Sequence, residues 1–283
     1  GAEGVDSAIE VLKSDAGSVI PMNINEASNN RIAFTQKEPI GIVLAISAFN
    51  HPFNLIIHQI IPAIASGCVV IVKPAEDTPL SCIKILEMLI ESGLPENRCY
   101  FCMPENLKLA EKLVSDERID FLSFIGSAKI GWMLRSKLSP GTRCALEHGG
   151  MAPTFLTETT NLDIASKLLI KGGFYHAGQV CVSVQRVFVQ KKIFDDFLSI
   201  FEKNLKPLKI GNPLDKNTEV GPLIRPSEVD RVQEWVNESI TEGTSVLCGG
   251  NKISETCFDK TVLINPRFSD KVSKMEIFGP VVN

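Results

Sequence analysis

Two segments constrain the fold more than any others in the chain: Ile40–Ile46 and Cys68–Val72 are nearly continuous apolar runs. A strand that is apolar on both faces needs cover on both, as strands inside a parallel sheet do. The first run is followed by a helical pattern over Asn54–Ser66. The second leads to Ser81–Ser92, an amphipathic stretch closed by Gly93, where a helix would end in a left-handed glycine. Arg98–Cys102 and Ile119–Ile125 read as further strands, with a helix over Leu107–Ser115 between them. Strands alternating with helices at this spacing predict an α/β fold built on an open, mostly parallel sheet.

Residues 1–20 read as the end of a helix and a connector. Residues 21–38 alternate loosely around Asn29-Asn30, as a short polar hairpin would. Beyond Gly150, strands are expected at Pro153–Leu156, Arg186–Gln190, Ser245–Cys248 and Thr261–Ile264. Helices are expected from a cap at Asp163 to Lys171, over Phe194–Leu205 and over Glu228–Thr241. The Gly149-Gly150 pair marks a boundary between residues 1–150 and a second α/β domain, 151–283.

A chain of 283 residues with 44% apolar and 22% charged residues can build two cores and is not disordered. A net charge of -4 without a basic block argues against nucleic acid as the main partner. The apolar runs are too short to span a bilayer, so no membrane partner is expected. The chain opens at Gly1 with no initiator Met and no visible leader, and a cytoplasmic location is expected. Its eight cysteines are not spaced like a secreted scaffold. Cys99-Tyr-Phe-Cys102 has CxxC spacing but neither a second pair nor a nearby histidine, so no metal site is expected.

Phosphate chemistry is suggested at Gly126-Ser127-Ala-Lys-Ile-Gly131, which follows a strand and precedes a helical pattern over Gly131–Leu138. Glycine lets backbone approach a phosphate, and a helix N-terminus supplies free N–H donors. A Gly-Ser turn opening a helix is also ordinary structure; its place at the end of a parallel strand adds weight. Lys73 and Glu76 close another strand, where a carboxylate can accept from ribose hydroxyls, although a solvated loop explains them equally. A carboxylate at Glu76 would repel a 2′-phosphate, favouring NAD over NADP.

Three residues complete a set for acyl chemistry: the thiol of Cys181, the carboxylate of Glu147 and the amide of Asn50. A thiolate attacks, an amide donates to the oxyanion without titrating, and a carboxylate activates water. Each has an ordinary alternative, as a packed thiol, an ion-pair carboxylate or a turn asparagine. Their joint occurrence is the signal.

In order, Phe49-Asn50-His51-Pro52, Lys73-Pro74-Ala75-Glu76, Phe124-Ile125-Gly126-Ser127, Leu146-Glu147-His148-Gly149-Gly150, Gly178-Gln179-Val180-Cys181 and Glu276-Ile-Phe-Gly-Pro280 resemble the aldehyde dehydrogenase superfamily along nearly the whole chain. The resemblance implies a Rossmann-like NAD-binding domain over 1–150 and a catalytic domain over 151–283. It implies Cys181 as the nucleophile forming a thiohemiacetal and then a thioester, with Asn50 and the Cys181 N–H as the oxyanion hole. Glu147 would be the base for hydrolysis, and a small-molecule aldehyde the substrate. Lys73, Glu76, Gly126, Ser127 and Gly131 would contact adenosine and pyrophosphate, and Glu276 the nicotinamide ribose, with Phe278 nearby.

The chain departs from the family pattern at Phe49, His51, His148, Met151 and His176. The histidines are either tolerated packing residues or polar contacts, which would suit a polar or anionic aldehyde. Family members extend beyond both ends, so the chain is expected to be a fragment with an incomplete catalytic domain. Residues 21–38 would then belong to an oligomerisation sheet of a homo-dimer or tetramer. The competing readings are a CoA-acylating relative, a non-catalytic nucleotide-binding fragment and a cysteine hydrolase; Glu147 and the dinucleotide signals argue against the last.

Overall fold

The two apolar runs become adjacent central strands in a computed structural model describing residues 1–283. It divides into two compact units, Gly1–His148 and Gly149–Asn283. In the first, α1 (Ala2–Ser14) precedes two short strands, β1 (Val19–Ile20) and β2 (Ala33–Phe34). The sheet then builds from β3 (Ile42–Ile46), α2 (Pro52–Ala65), β4 (Val69–Lys73), α3 (Pro79–Glu91) and β5 (Cys99–Phe101). It continues through α4 (Leu107–Val114), β6 (Phe121–Ile125), α5 (Ala128–Arg135) and β7 (Arg143–Glu147).

Its five strands lie in the order β5-β4-β3-β6-β7, all parallel. Side chains alternate across it, as the period of a strand requires. Val43 and Ala45 pack with Ile56 and Ile60 of α2 and Ile85 of α3. Leu44 points the other way, to Val114 of α4 and Leu134 of α5. Helices therefore cover both faces, which explains why the central strands are apolar throughout. The chain runs outward from β3 to β5, returns to β6, and reverses strand order between β3 and β6.

Several expectations are corrected. The segment 21–38 is not a compact hairpin: β1 and β2 pair antiparallel over two residues each, across a long connection containing a 3-10 turn at Glu26–Ser28. Asn29-Asn30 lies in that connection because β2 begins only at Ala33. The strand β7 was not anticipated; its residues alternate between exposed and half-buried at a sheet edge, so it lacks an apolar run. Helix α5 starts at Ala128, behind Ser127, rather than at Gly131. Gly93 takes the expected left-handed conformation, φ +94°.

The second unit contains β8 (Thr154–Leu156), α6 (Leu162–Phe174), β9 (Val187–Val189), α7 (Phe194–Leu205) and α8 (Pro226–Thr241). It ends with β10 (Ser245–Cys248), β11 (Thr261–Ile264), α9 (Lys271–Lys274) and β12 (Val281–Val282). Strands β8 and β9 are parallel; β10-β11-β12 form a mixed sheet. The core is built around Phe174, Phe201, Val232, Phe258 and Ile277. Asn161, not Asp163, caps α6: its side chain accepts from the Ile164 N–H at 3.1 Å, while Asp163 sits in the first turn.

Candidate active site

Most of the first unit's candidate residues fall at the carboxyl ends of parallel strands, where open α/β sheets bind ligands. Asn50 lies just beyond β3 and is 7% exposed. Lys73 is the last residue of β4, its Nζ donating to the Pro74 carbonyl at 3.2 Å, and Glu76 is exposed beyond it. Gly126 follows β6, and its N–H donates to the carbonyl of Glu147, the exposed last residue of β7, at 3.1 Å. Ser127 is the N-cap of α5 without a capping side-chain bond. The first-turn N–H groups of that helix have no partners within it, as at any helix start.

Gly131 plays a different part from the one expected. Its N–H is committed to the Ser127 carbonyl at 3.0 Å, so it is no phosphate donor. A Cβ there would lie 2.2 Å from His148 Cε1; the glycine makes room for that ring. His148 packs against Phe124 and Trp132, and neither ring nitrogen has a hydrogen-bond partner. It is a packing residue here.

The crevice at the order reversal suits a ligand rich in hydroxyl and phosphate groups. Gln59 of α2, 7% exposed, donates through Nε2 to the carbonyls of Ile46 in β3 (3.1 Å) and Ser123 in β6 (2.9 Å). Its Oε1 has no donor, and neither does the buried hydroxyl of neighbouring-strand-end residue Ser47 have a partner. A buried polar atom left unmatched costs about 1–3 kcal/mol, so such atoms call for water or a ligand hydroxyl. With the open N-terminus of α5, these residues fit a dinucleotide.

In the second unit, α6 ends at Phe174 and a tight turn follows at Tyr175–Gly178. His176, Ala177 and Gly178 all have positive φ, 54°, 55° and 72°. For His176 and Ala177 this backbone is strained, at a cost of about 1–3 kcal/mol each. Tertiary contacts hold it. A Cβ on Gly178 would sit 2.0 Å from the Gly279 carbonyl oxygen, so the turn packs directly on the Gly279-Pro280 backbone. The buried Gln179 side chain accepts from the Ile224 N–H (2.9 Å) and donates to the Pro222 carbonyl (3.2 Å).

Cys181 emerges from this bracketed turn as the one exposed thiol among eight free cysteines. Burial raises the pKa of other thiols, Cys82 to about 12 and Cys99 and Cys248 to about 11. The Cys181 carbonyl lies close to Gly150, 3.8 Å from where a Cβ would stand. On the same glycine pair rests the Glu276 carboxylate. The Gly150 N–H donates to its Oε1 at 3.3 Å, and a Cβ on Gly149 would collide with both carboxylate oxygens. Burial raises the Glu276 pKa, opposed by the Gly150 N–H and the charge of Arg231. Phe278, at φ 52°, lies two residues further on. The second unit thus gathers Cys181, Glu276 and Gly149-Gly150, and the last directly follows His148 and Glu147 in sequence.

The chain matches the aldehyde dehydrogenase family along residues 1–283. It belongs to that family. It is 37% identical over 273 residues to a 3-sulfolactaldehyde dehydrogenase of Priestia aryabhattai, covering 96% of this chain and 57% of the relative. The structure resembles aldehyde dehydrogenase 21 from Physcomitrella patens in complex with the reaction product succinate, with TM-score 0.94, 34% identity, and coverage of 99% and 58%. It also resembles a glyceraldehyde-3-phosphate dehydrogenase from Methanocaldococcus jannaschii complexed with NADP, with TM-score 0.91, 35% identity, and coverage of 99% and 60%. Another solved family member, from Staphylococcus aureus, is in complex with NAD+. The chain spans about three-fifths of the length of these aldehyde dehydrogenases.

No motif or spacing in the sequence marks Gln59, Ser47 or Gln185. A lone amide in an apolar stretch carries no spacing signal; only its partners reveal its work.

Proposed function

We propose that the protein oxidises an aldehyde to a carboxylic acid with a nicotinamide dinucleotide, through covalent chemistry on Cys181. The observation that carries this is that the backbone of Cys181, which bears the sole exposed thiol, and the Glu276 carboxylate meet at the glycine pair that follows Glu147. The Cys181 thiolate adds to the aldehyde carbon, forming a C–S bond and an oxyanion that accepts from the Asn50 amide and the Cys181 N–H. When bound, the dinucleotide accepts the hydride released from that carbon. A thioester remains. Glu147 takes a proton from water, the water oxygen adds to the thioester carbon, and the C–S bond breaks to release the acid.

Lys73, Glu76, Ser127 and the start of α5 with Gly126 would hold the adenosine and pyrophosphate, and Glu276 the second ribose, with Phe278 beside it. Glu76 favours NAD over NADP, because a 2′-phosphate would face its carboxylate. A polar or anionic aldehyde is the substrate class supported by relatives acting on 3-sulfolactaldehyde and yielding succinate. His51 and His176 are the candidate contacts. Residues 1–150 would hold most of the nucleotide and 151–283 the nucleophile, a division supported by the compact units Gly1–His148 and Gly149–Asn283. Exposed Val19, Ile32 and Phe34 around β1 and β2 support assembly with a second copy, as a homo-dimer or tetramer. Eight free cysteines support a cytoplasmic location; no helix is long and apolar enough to cross a membrane.

The test uses the chain within its natural ends. NAD-dependent acid formation is expected across anionic aldehydes, with kcat/KM higher than for long aliphatic ones. Glu147→Gln should yield about one equivalent of NADH per site in a burst and then stall, since acylation survives and deacylation does not. Turnover that requires CoA would overturn the hydrolytic step.

A further inference from the structure

Gln185 lies four residues past Cys181, immediately ahead of the Arg186–Val187 entry to β9, and is 4% exposed. Its side chain is fully engaged with one segment. Nε2 donates to the carbonyls of Val272 and Met275, both at 2.8 Å, and Oε1 accepts from the Ile277 N–H at 2.8 Å. Met275 and Ile277 are the residues on either side of Glu276. Its backbone reaches elsewhere. The Gln185 N–H donates to the Met151 carbonyl at 3.2 Å, one residue beyond Gly150.

One residue is therefore bonded both to the segment that carries the Glu276 carboxylate and to the irregular Gly149–Met151 backbone on which that carboxylate rests. The segment needs such a partner. Helix α9 ends at Lys274 and takes up only the Met275 N–H, through the Lys271 carbonyl, while Arg231 donates to the Ile277 carbonyl; the Met275 carbonyl and the Ile277 N–H are left to Gln185. The carboxylate itself is held by a single long bond from Gly150, too little to orient it.

We infer that Gln185 is a positioning residue for Glu276: it fixes Met275–Ile277 against the Gly149-Gly150 backbone and so aims the carboxylate at the ribose hydroxyls of the dinucleotide. This rests on Glu276 being a ribose contact. Its role differs from general support of the core, because two of its three side-chain bonds fall on the residues flanking the Glu276 carboxylate, and the third ties them to α9 through Val272. Removing it should affect nucleotide binding only as far as Glu276 does.

The experiment measures NAD+ affinity calorimetrically for the chain within its natural ends, for Gln185→Met, for Glu276→Ala and for the double variant. Gln185→Met, similar in volume, should weaken affinity about tenfold, the loss expected when buried backbone groups are left unmatched. In the Glu276→Ala background the same change should cost less than about twofold, because residues acting through one another are not additive. Unchanged affinity in Gln185→Met, or two independent effects that multiply, would overturn the inference. Gln185→Glu, held neutral by burial, keeps an acceptor for the Ile277 N–H and one of the two donated bonds, so it covers the case in which Gln185→Met does not fold. An affinity loss of about threefold is expected from it, and none would count against the inference. If the parent chain binds no dinucleotide, the cofactor reading has failed instead. Amide exchange at Ile277 then still decides the local claim: protection lost in Gln185→Met supports it, and protection retained overturns it.

Discussion

The two units place chemistry by different means. In the first, Asn50, Lys73, Gly126 and Glu147 stand at or just beyond the ends of parallel strands, so the regular hydrogen-bond ladder fixes their spacing. In the second, Cys181 and Glu276 lie on irregular backbone held by strained φ angles and by the buried side chains of Gln179 and Gln185. A repeating backbone positions residues with little side-chain help. An irregular one needs a specific bracket for each peptide it leaves unpaired. The candidate residues of the first unit are accordingly scaffolded by secondary structure, and those of the second by tertiary contacts.

The sharpest way to break this division is Cys181→Ala. It should lower aldehyde oxidation about 10⁴-fold or more while leaving dinucleotide affinity intact. It should also abolish the rapid alkylation by iodoacetamide, leaving only slow labelling, since the buried Cys82 stays protonated at neutral pH. Rapid labelling that persists in the variant would place the reactive thiol elsewhere. Next in size is Asn50→Ala, expected to reduce kcat about 10²–10³-fold through loss of one oxyanion donor. Because Asn50 is placed by a strand end, its removal should leave the melting temperature close to that of the parent. A large drop would show that it supports the fold as well.

The third comparison is between two glycines. Gly178→Ala should cost about 2–4 kcal/mol, combining a positive φ with overpacking, since its Cβ would meet the Gly279 carbonyl oxygen at 2.0 Å. Gly141, in the first unit, also has positive φ (91°) but nothing within 4 Å of an added Cβ. Its alanine variant should lose only about 1–2 kcal/mol from backbone strain. Equal losses in urea unfolding would remove the argument that tertiary packing holds the nucleophile turn.

The smallest effect concerns Glu276. Burial raises its carboxyl pKa in the folded chain. Between the ordinary carboxylate value and the raised one, the folded state binds more protons than the unfolded, so stability falls as pH rises through that window. Glu276→Gln removes this loss. Relative to the parent, its stability advantage should appear toward neutral pH and vanish in acid, while dinucleotide affinity decreases. A variant less stable than the parent at neutral pH would make the carboxylate a structural residue rather than one held ready for a ligand.

Legibility followed the same division. Strands β3, β4 and β6 were readable because burial on both faces forces continuous apolar runs. The edge strand β7 alternates and begins with Arg143, and β1 and β2 have two residues each, too short for any periodic signal. Gly131 read as part of a phosphate turn because glycine spacing does not tell room for a ligand from room for a side chain; the ring of His148 fills that space.

By itself the sequence determined the parallel sheet, the strand ends near which Asn50 and Lys73 stand, and the family to which six ordered motifs point. Those features repeat locally, through apolar periodicity and contiguous residues. Only the tertiary structure decided that Gly178 rests on Gly279, that Glu276 lies on Gly149-Gly150, and that Gln185 joins Met151 to the peptides around Glu276. Such contacts join residues far apart in the chain, and each satisfies a backbone group or fills a space that no local pattern encodes.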